Sequence, residues 1–204
     1  MRLPLIIFLI VISFNAFSQD SFFIKVHFLY GSKPTNEFLG KEKKWFGGLP
    51  GGHVGIEGPN GEILNFLTKG KCHVFSDNTD RHSCFKCYNE TQFYSIFGGA
   101  PDSMKKAVVY IPITLEQKKK FDSIAVAYQE KTPYDYALFG MRCSAAAYDI
   151  LAQLKIVKEY SHTKTYKKIF YPKLLRKRLL AAADQKGWMV VHQQGTNRRI
   201  WEKD

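Results

Sequence analysis

One stretch restricts the fold more than any other: Gly52 to Leu67, GHVGIEGPNGEILNFL, two short apolar-rich runs joined by Pro59-Asn60-Gly61. Strand-forming runs around such a turn predict a β-hairpin. A one-residue slip in its pairing would send every side chain to the wrong face, so the pattern decides the register. A two-residue Asn60-Gly61 loop pairs Pro59 with Glu62, sets Ile56 against Asn65, and mixes polar with apolar residues on both faces. A three-residue loop pairs Gly58 with Glu62. It gives Pro59 the first turn position and Gly61 the left-handed position that closes such a loop. Val54, Ile56, Leu64 and Phe66 then share one face, and His53, Gly55, Glu57, Ile63, Asn65 and Leu67 share the other. The clean apolar face selects this second register. It sets Asn65 opposite Gly55 and diagonal to His53, roughly 7–8 Å away at Cα. Gly55 has no side chain to keep the two apart.

The remaining segments place the hairpin in an α+β chain. Ser21–Tyr30 (SFFIKVHFLY) and Ala107–Ile113 (AVVYIPI) read as strands, and Lys71–Ser76 as a further one. Gly31–Pro50 and Ser76–Thr91 read as loops, the latter carrying most of the cysteines. Thr114 with Gln117 forms a capping box, and the helix it opens runs to about Lys131, before Pro133. A second helix starts at Cys143 with Ala147, Ile150, Leu151 and Leu154 inward. Pro172 suits the first turn of a third, which ends at Gly187. Trp188–Gln193 and Arg198–Glu202 read as a last hairpin around Gly195. Strands first and helices later, without regular βαβ alternation, predict α+β.

The N-terminus lies outside this plan. Met1–Ser18, MRLPLIIFLIVISFNAFS, has a basic start, an apolar run too short to favour a span, and Ala16-Phe17-Ser18 before Gln19. That is the layout of a secretory signal peptide, with a cut between Ser18 and Gln19. Residues 19–204 are then one domain with a basic C-terminal extension, exported to a periplasmic or extracellular, oxidising compartment. It carries +11 after the cut, 29 basic residues against 18 acidic. At 45% hydrophobic and 15% aromatic, the 204 residues exclude a disordered tail, a collagen and a multi-span membrane protein.

Chemistry concentrates at three residues. Cys143 follows Gly-Met-Arg and opens a helix, where the dipole, free N–H groups and Arg142 all favour a thiolate. His53 is the histidine placed to pair with it, and Asn65 can orient the imidazole. The Cys143 helix is expected to cross the His53–Asn65 face. Its thiol is expected to have a lowered pKa and to be the most readily alkylated. His27, inside an apolar strand, reads as a packed residue, and His162 and His192 as solvated ones.

HVGIEGPNGEILNF, followed by YDYALFGMRCSAAAYDIL, resembles the circularly permuted papain-like enzymes over roughly Gly51 to Leu154. These include the lecithin:retinol acyltransferase-like proteins and bacterial relatives of the NlpC-type cell-wall peptidases. The resemblance implies a papain-like antiparallel sheet packed against a Cys-bearing helix. It implies Cys143 as nucleophile, His53 as base and Asn65 as orienting residue, and Tyr134 or Tyr136 as the tyrosine that assists an oxyanion site. Two positions depart from the pattern: Asn65 where many acyltransferase-like members have His, and Arg142 where many NlpC-type members have Asp. The substrate therefore does not carry over.

KCHVFSDNTDRHSCFKC offers two further readings. Cys72 can form a disulfide with Cys84 or Cys87, or Cys72, Cys84 and Cys87 with His82 can hold a metal ion. No cofactor is implied. From Lys155 to Asp204, 13 Lys and Arg face four Asp and Glu. Leu174, Leu175, Leu179 and Leu180 are expected inward, and Arg176, Lys177 and Arg178 at the surface. Such a surface is a solvated basic face or one that attracts an anionic envelope polymer or lipid head groups. No nucleic-acid motif accompanies it. The expected function is an exported, monomeric cysteine hydrolase acting on amide or ester bonds, with cell-wall peptide the favoured substrate. Acyl transfer, a non-catalytic envelope-binding module and an envelope structural protein are the alternatives.

Overall fold

A computed structural model describes residues 22–41, 52–77, 82–97 and 101–203. The expected signal peptide and most of the KEKKWFGG run lie outside the described residues. Among the described residues, ten strands and five α-helices follow one another. They are β1 (Phe22–Leu29), β2 (Ser32–Pro34), β3 (His53–Glu57), β4 (Ile63–Thr68), β5 (His73–Phe75), β6 (Ser83–Tyr88), α1 (Glu90–Phe97), β7 (Lys106–Ile113), α2 (Leu115–Glu130), β8 (Ala137–Phe139), α3 (Cys143–Gln153), α4 (His162–Lys168), α5 (Pro172–Lys186), β9 (Val190–Gln193) and β10 (Arg199–Trp201). The chain is α+β. Its main sheet has six antiparallel strands in the order β6-β4-β3-β1-β7-β9.

The β3–β4 hairpin adopts the three-residue loop. Ile56 pairs with Leu64 and Glu57 with Ile63, Gly58 N–H donates to the Glu62 carbonyl at 3.0 Å, and Gly61 sits at φ +82°. One sheet face carries Ile24, Val26, Phe28, Val54, Ile56, Leu64, Phe66, Val109 and Ile111, packed with α2, α3 and α5 into the principal core. The other face carries Leu29 and Ile63 under Phe93 and Tyr94 of α1, a smaller core. Thr114 forms the expected capping box on α2, and α5 starts with Pro172 and ends at Gly187 in the left-handed conformation.

Three sequence expectations give way. Neither expected loop is wholly loop: Gly31–Pro50 holds β2, and Ser76–Thr91 holds β6 and the start of α1. The last two strands form no hairpin. β9 extends the main sheet beside β7, and β10 pairs with β2, so the basic C-terminal stretch is woven into the fold. Arg176 is buried rather than at the surface, bonded to Glu202 at 2.9 Å and stacked 3.6 Å from the Tyr30 ring, while Leu174 is 37% exposed. A helix turn of Lys and Arg reads as solvent-facing until a partner from 26 residues downstream comes to meet it.

Candidate active site

The site forms where β3 begins. Gly52 turns the chain into the strand at φ +68°; a Cβ there would fall 1.6 Å from the Leu29 carbonyl oxygen, so only glycine fits. Along an antiparallel strand, backbone N–H groups alternate sides. Gly58 N–H points toward β4, so those of Ile56 and Val54 do as well. The β3–β4 ladder stops at Ile56–Leu64. The N–H of Val54 therefore opens into the gap between the two strands, and the Cys143 thiol is seated against it.

Cys143 is the first residue of α3, preceded by Arg142 in extended conformation. Its thiol also meets the Ser144 N–H and the Tyr136 hydroxyl. Arg142 is pinned nearby: its guanidinium donates to the Phe170 carbonyl and lies 3.6 Å from the centre of the Phe170 ring. Burial raises the thiol pKa, and the Val54 N–H, Arg142, the Ser144 N–H and Tyr136 only partly offset it. The expected lowering of the thiol pKa is thus reversed. A helix N-terminus stabilises a thiolate, but here the helix start is buried, and desolvation outweighs dipole and guanidinium.

His53 and Asn65 lie together on the other sheet face. His53 Nε2 is 3.3 Å from Asn65 Oδ1. The amide cannot turn over without loss, because Asn65 Nδ2 donates to the Ile63 carbonyl at 2.7 Å. Oδ1 accepts, so Nε2 carries the proton and Nδ1 keeps its lone pair. Gly55 makes the room: a Cβ on it would sit 2.8 Å from Asn65 Oδ1. Phe97 of α1 stacks on the imidazole with 3.7 Å between ring centres, and Phe93 lies 5.8 Å away. Burial lowers the His53 pKa to about 4, against the opposing effect of the Asn65 hydrogen bond.

The expectation that α3 crosses the His53–Asn65 face does not hold. α1 covers that face, and α3 packs on the opposite one with Val54, Ile56, Leu64 and Phe66. The thiol instead reaches the backbone of Val54, the residue after His53, through the strand gap. No hydrogen bond joins thiol to imidazole among the described contacts. Of the two candidate tyrosines, Tyr136 touches the thiol; Tyr134 is packed among Phe66, Phe85, Tyr128 and His162.

The other cysteines do not converge. Cys72, Cys84 and Cys87 are free thiols, as is Cys143. Cys84 and Cys87 lie on β6, opposite Leu67 and Leu64 respectively. An odd separation on a strand sends two side chains to opposite faces, so this pair neither chelates one ion nor closes on itself. No group of three or more metal-ligating side chains occurs among the described residues. His82 stacks on His73, 3.5 Å between ring centres.

Beside the site runs a buried polar chain that sequence reading identified only as a packed His27. His27 Nε2 is 2.7 Å from Glu57 Oε2, Nδ1 is 2.8 Å from the Tyr94 hydroxyl, and Lys25 bonds the other Glu57 oxygen. The signal was present: β1 alternation puts Lys25 and His27 on one face, and the hairpin register puts Glu57 there too. His27 and Lys25 hold the Glu57 carboxyl below its ordinary pKa, against burial, which would raise it. No helix among the described residues is long and apolar enough to cross a membrane. Compared with protein-family models, curated proteins and solved structures, the chain matches none.

Proposed function

We propose that the protein is an exported thiol hydrolase of the circularly permuted papain-like kind, cleaving amide or ester bonds, cell-wall peptide being the favoured class. One observation carries the reading: the Cys143 thiol sits against the Val54 N–H and the Tyr136 hydroxyl, and Val54 is next in the chain to the Asn65-held His53. His53 and Asn65 precede the Cys-headed helix in the chain, which fits the permuted order. Burial keeps both imidazole and thiol neutral near neutral pH, so the proton moves as the bond forms. Sulfur adds to the carbonyl carbon while the thiol proton passes to His53 Nδ1. Tyr136 and the Ser144 N–H lie beside the sulfur as donors to the oxyanion. The tetrahedral intermediate collapses, and His53 returns the proton to the departing amine or alcohol, leaving a thioester on Cys143. Water, deprotonated by His53, adds to the thioester, and the acid leaves with the thiol restored.

The test uses the chain from Gln19, the start that the intact mass of the secreted protein should show. Incubation with cell-wall peptides and with an activated ester should leave an acyl adduct on the Cys143 peptide by mass spectrometry. Cys143→Ala and His53→Ala should each abolish turnover, and the double variant should be little worse than either. Asn65→Ala should lose less. Turnover that survives Cys143→Ala would end the proposal. One observation favours the non-catalytic envelope-binding reading instead: the thiol is buried and makes no imidazole hydrogen bond. Absence of any adduct, together with salt-sensitive binding to an anionic polymer, would select it.

A further inference from the structure

Close to the thiol lies a surface that the hydrolase reading leaves unused. β5 and β8 form a two-stranded parallel sheet of their own, with Phe75 paired to Phe139. Phe75 is 73% exposed and Phe139 48%, with ring centres 5.7 Å apart. The row continues from Phe139 to Phe170 at 6.5 Å, and from Phe170 to Tyr171 at 4.7 Å. Val74 and Leu138, exposed by 52% and 37%, precede the two phenylalanines on their strands and face the opposite side of this small sheet, so the row itself is aromatic. Aromatic tips this exposed cost solvation free energy, and contiguous exposed apolar patches mark interaction surfaces.

The flanks are basic. Arg142 lies over Phe170 and 5.0 Å from the Tyr171 ring centre. Lys167 and Lys168, both exposed, end the helix just before Phe170, and Lys71, also exposed, precedes β5. The acid nearest in sequence is Asp77, whose N–H donates to the buried Asp135 carboxylate at 3.0 Å.

We propose that this aromatic row docks the protein on an anionic lipid bilayer, the rings entering the head-group region and the basic residues meeting lipid phosphates. Exposed rings beside Lys and Arg, on a chain of net charge +11 from Gln19 onward, are complementary to such a surface. A second copy fits less well, because a two-fold contact would bring like charges together. The docking stands apart from the proposed catalysis. If both hold, the run from Tyr136 through Phe139 to Cys143 sets the thiol beside the membrane, favouring substrates presented there.

The test is sedimentation of the chain from Gln19 with phosphatidylcholine vesicles, with and without phosphatidylglycerol, at low and high salt. The wild type should bind the anionic vesicles more tightly and lose affinity with salt. Phe75→Ser with Phe139→Ser should weaken that binding roughly tenfold or more while keeping the wild-type thermal midpoint, since neither ring is buried. Phe23→Ser, a 41% exposed residue on β1, should change nothing. Lys167→Gln with Lys168→Gln should flatten the salt dependence. Wild type that ignores anionic vesicles, or a serine double variant that binds them equally, would overturn the proposal. So would a wild-type dimer in sedimentation velocity that the serine variant abolishes, which would assign the row to a second copy.

Discussion

His53 shows how far one position can depart from its ordinary chemistry. It is 6% exposed, sandwiched between Phe97 and the sheet, and its pKa falls to about 4 from 6.5. In the unfolded chain it takes up a proton below about pH 6.5, whereas in the folded protein it does so only near pH 4. The unfolded state therefore binds more protons in that interval, and stability falls as pH drops through it, by about 3 kcal/mol in all. Urea unfolding at pH 7 and near pH 4.5 should show most of this loss, and His53→Gln should flatten the curve. His162 has the opposite sign. Its hydrogen bond to Asp149 raises its pKa, so its support is fully present below about pH 6.5 and is lost as pH rises through the raised folded value. Its ring is 54% exposed and its effect small. Cys143 supplies a second check at this scale. Burial raises the thiol pKa of Cys143 and, in part, that of Cys72 too, so access decides: brief iodoacetamide treatment should label exposed Cys72 before buried Cys143, which reverses what a helix-N-terminal cysteine beside Arg142 leads one to expect. Labelling of Cys143 first would mean that the strand gap opens readily in solution.

Among the elements, the β3–β4 hairpin carries the site. Its three-residue loop fixes which residues face α1 and which face α3, and its short ladder leaves the gap that the thiol enters. Gly55 is the position where hairpin, α1 and site touch. A Cβ there would lie 2.5 Å from Ile63 Cγ2, 2.8 Å from Asn65 Oδ1 and 3.0 Å from Phe93 Cε2. Gly55→Ala should cost about 1–3 kcal/mol through overpacking. It should also lower turnover more than its stability loss explains, because the Asn65 oxygen must give way. Equal turnover per folded molecule would show that Asn65 does not need its observed place. The same alternation explains the separated cysteines, since CFKC on a strand is two single thiols on two faces.

The whole molecule is tied together by its end. β10 pairs with β2, Glu202 N–H donates to the Gly31 carbonyl at 2.8 Å, and the Glu202 carboxylate meets Arg176 from α5. Arg176 and Glu202 bring α5, β10 and the Tyr30 ring to one point. Arg176→Ala should destabilise the protein by about 3 kcal/mol, leaving the partly buried Glu202 carboxylate without its guanidinium, though still accepting from the Gly31 N–H. Arg176→Met, which keeps the packing volume, should lose less if Glu202→Gln accompanies it. Calorimetric midpoints would measure both, and an unchanged midpoint in Arg176→Ala would show that the contact contributes nothing to folding.

Short-range patterns account for what the sequence determined unaided. Alternation and turn chemistry around Pro59-Asn60-Gly61 settle the hairpin register, and with it the meeting of His53 and Asn65. The Thr114 capping box, Pro172 and Gly187 mark helix ends, because capping is a contact among neighbours in the chain. Tertiary structure decided everything that depends on a distant partner. It placed α3 on the face opposite His53, since α1, unrecognised in the sequence, fills the near one with Phe93, Tyr94 and Phe97. It sent β9 and β10 to separate sheets and drew Arg176 inward to Glu202. It also raised the Cys143 thiol pKa, since desolvation depends on how much protein surrounds a group, and a local sequence carries no measure of that.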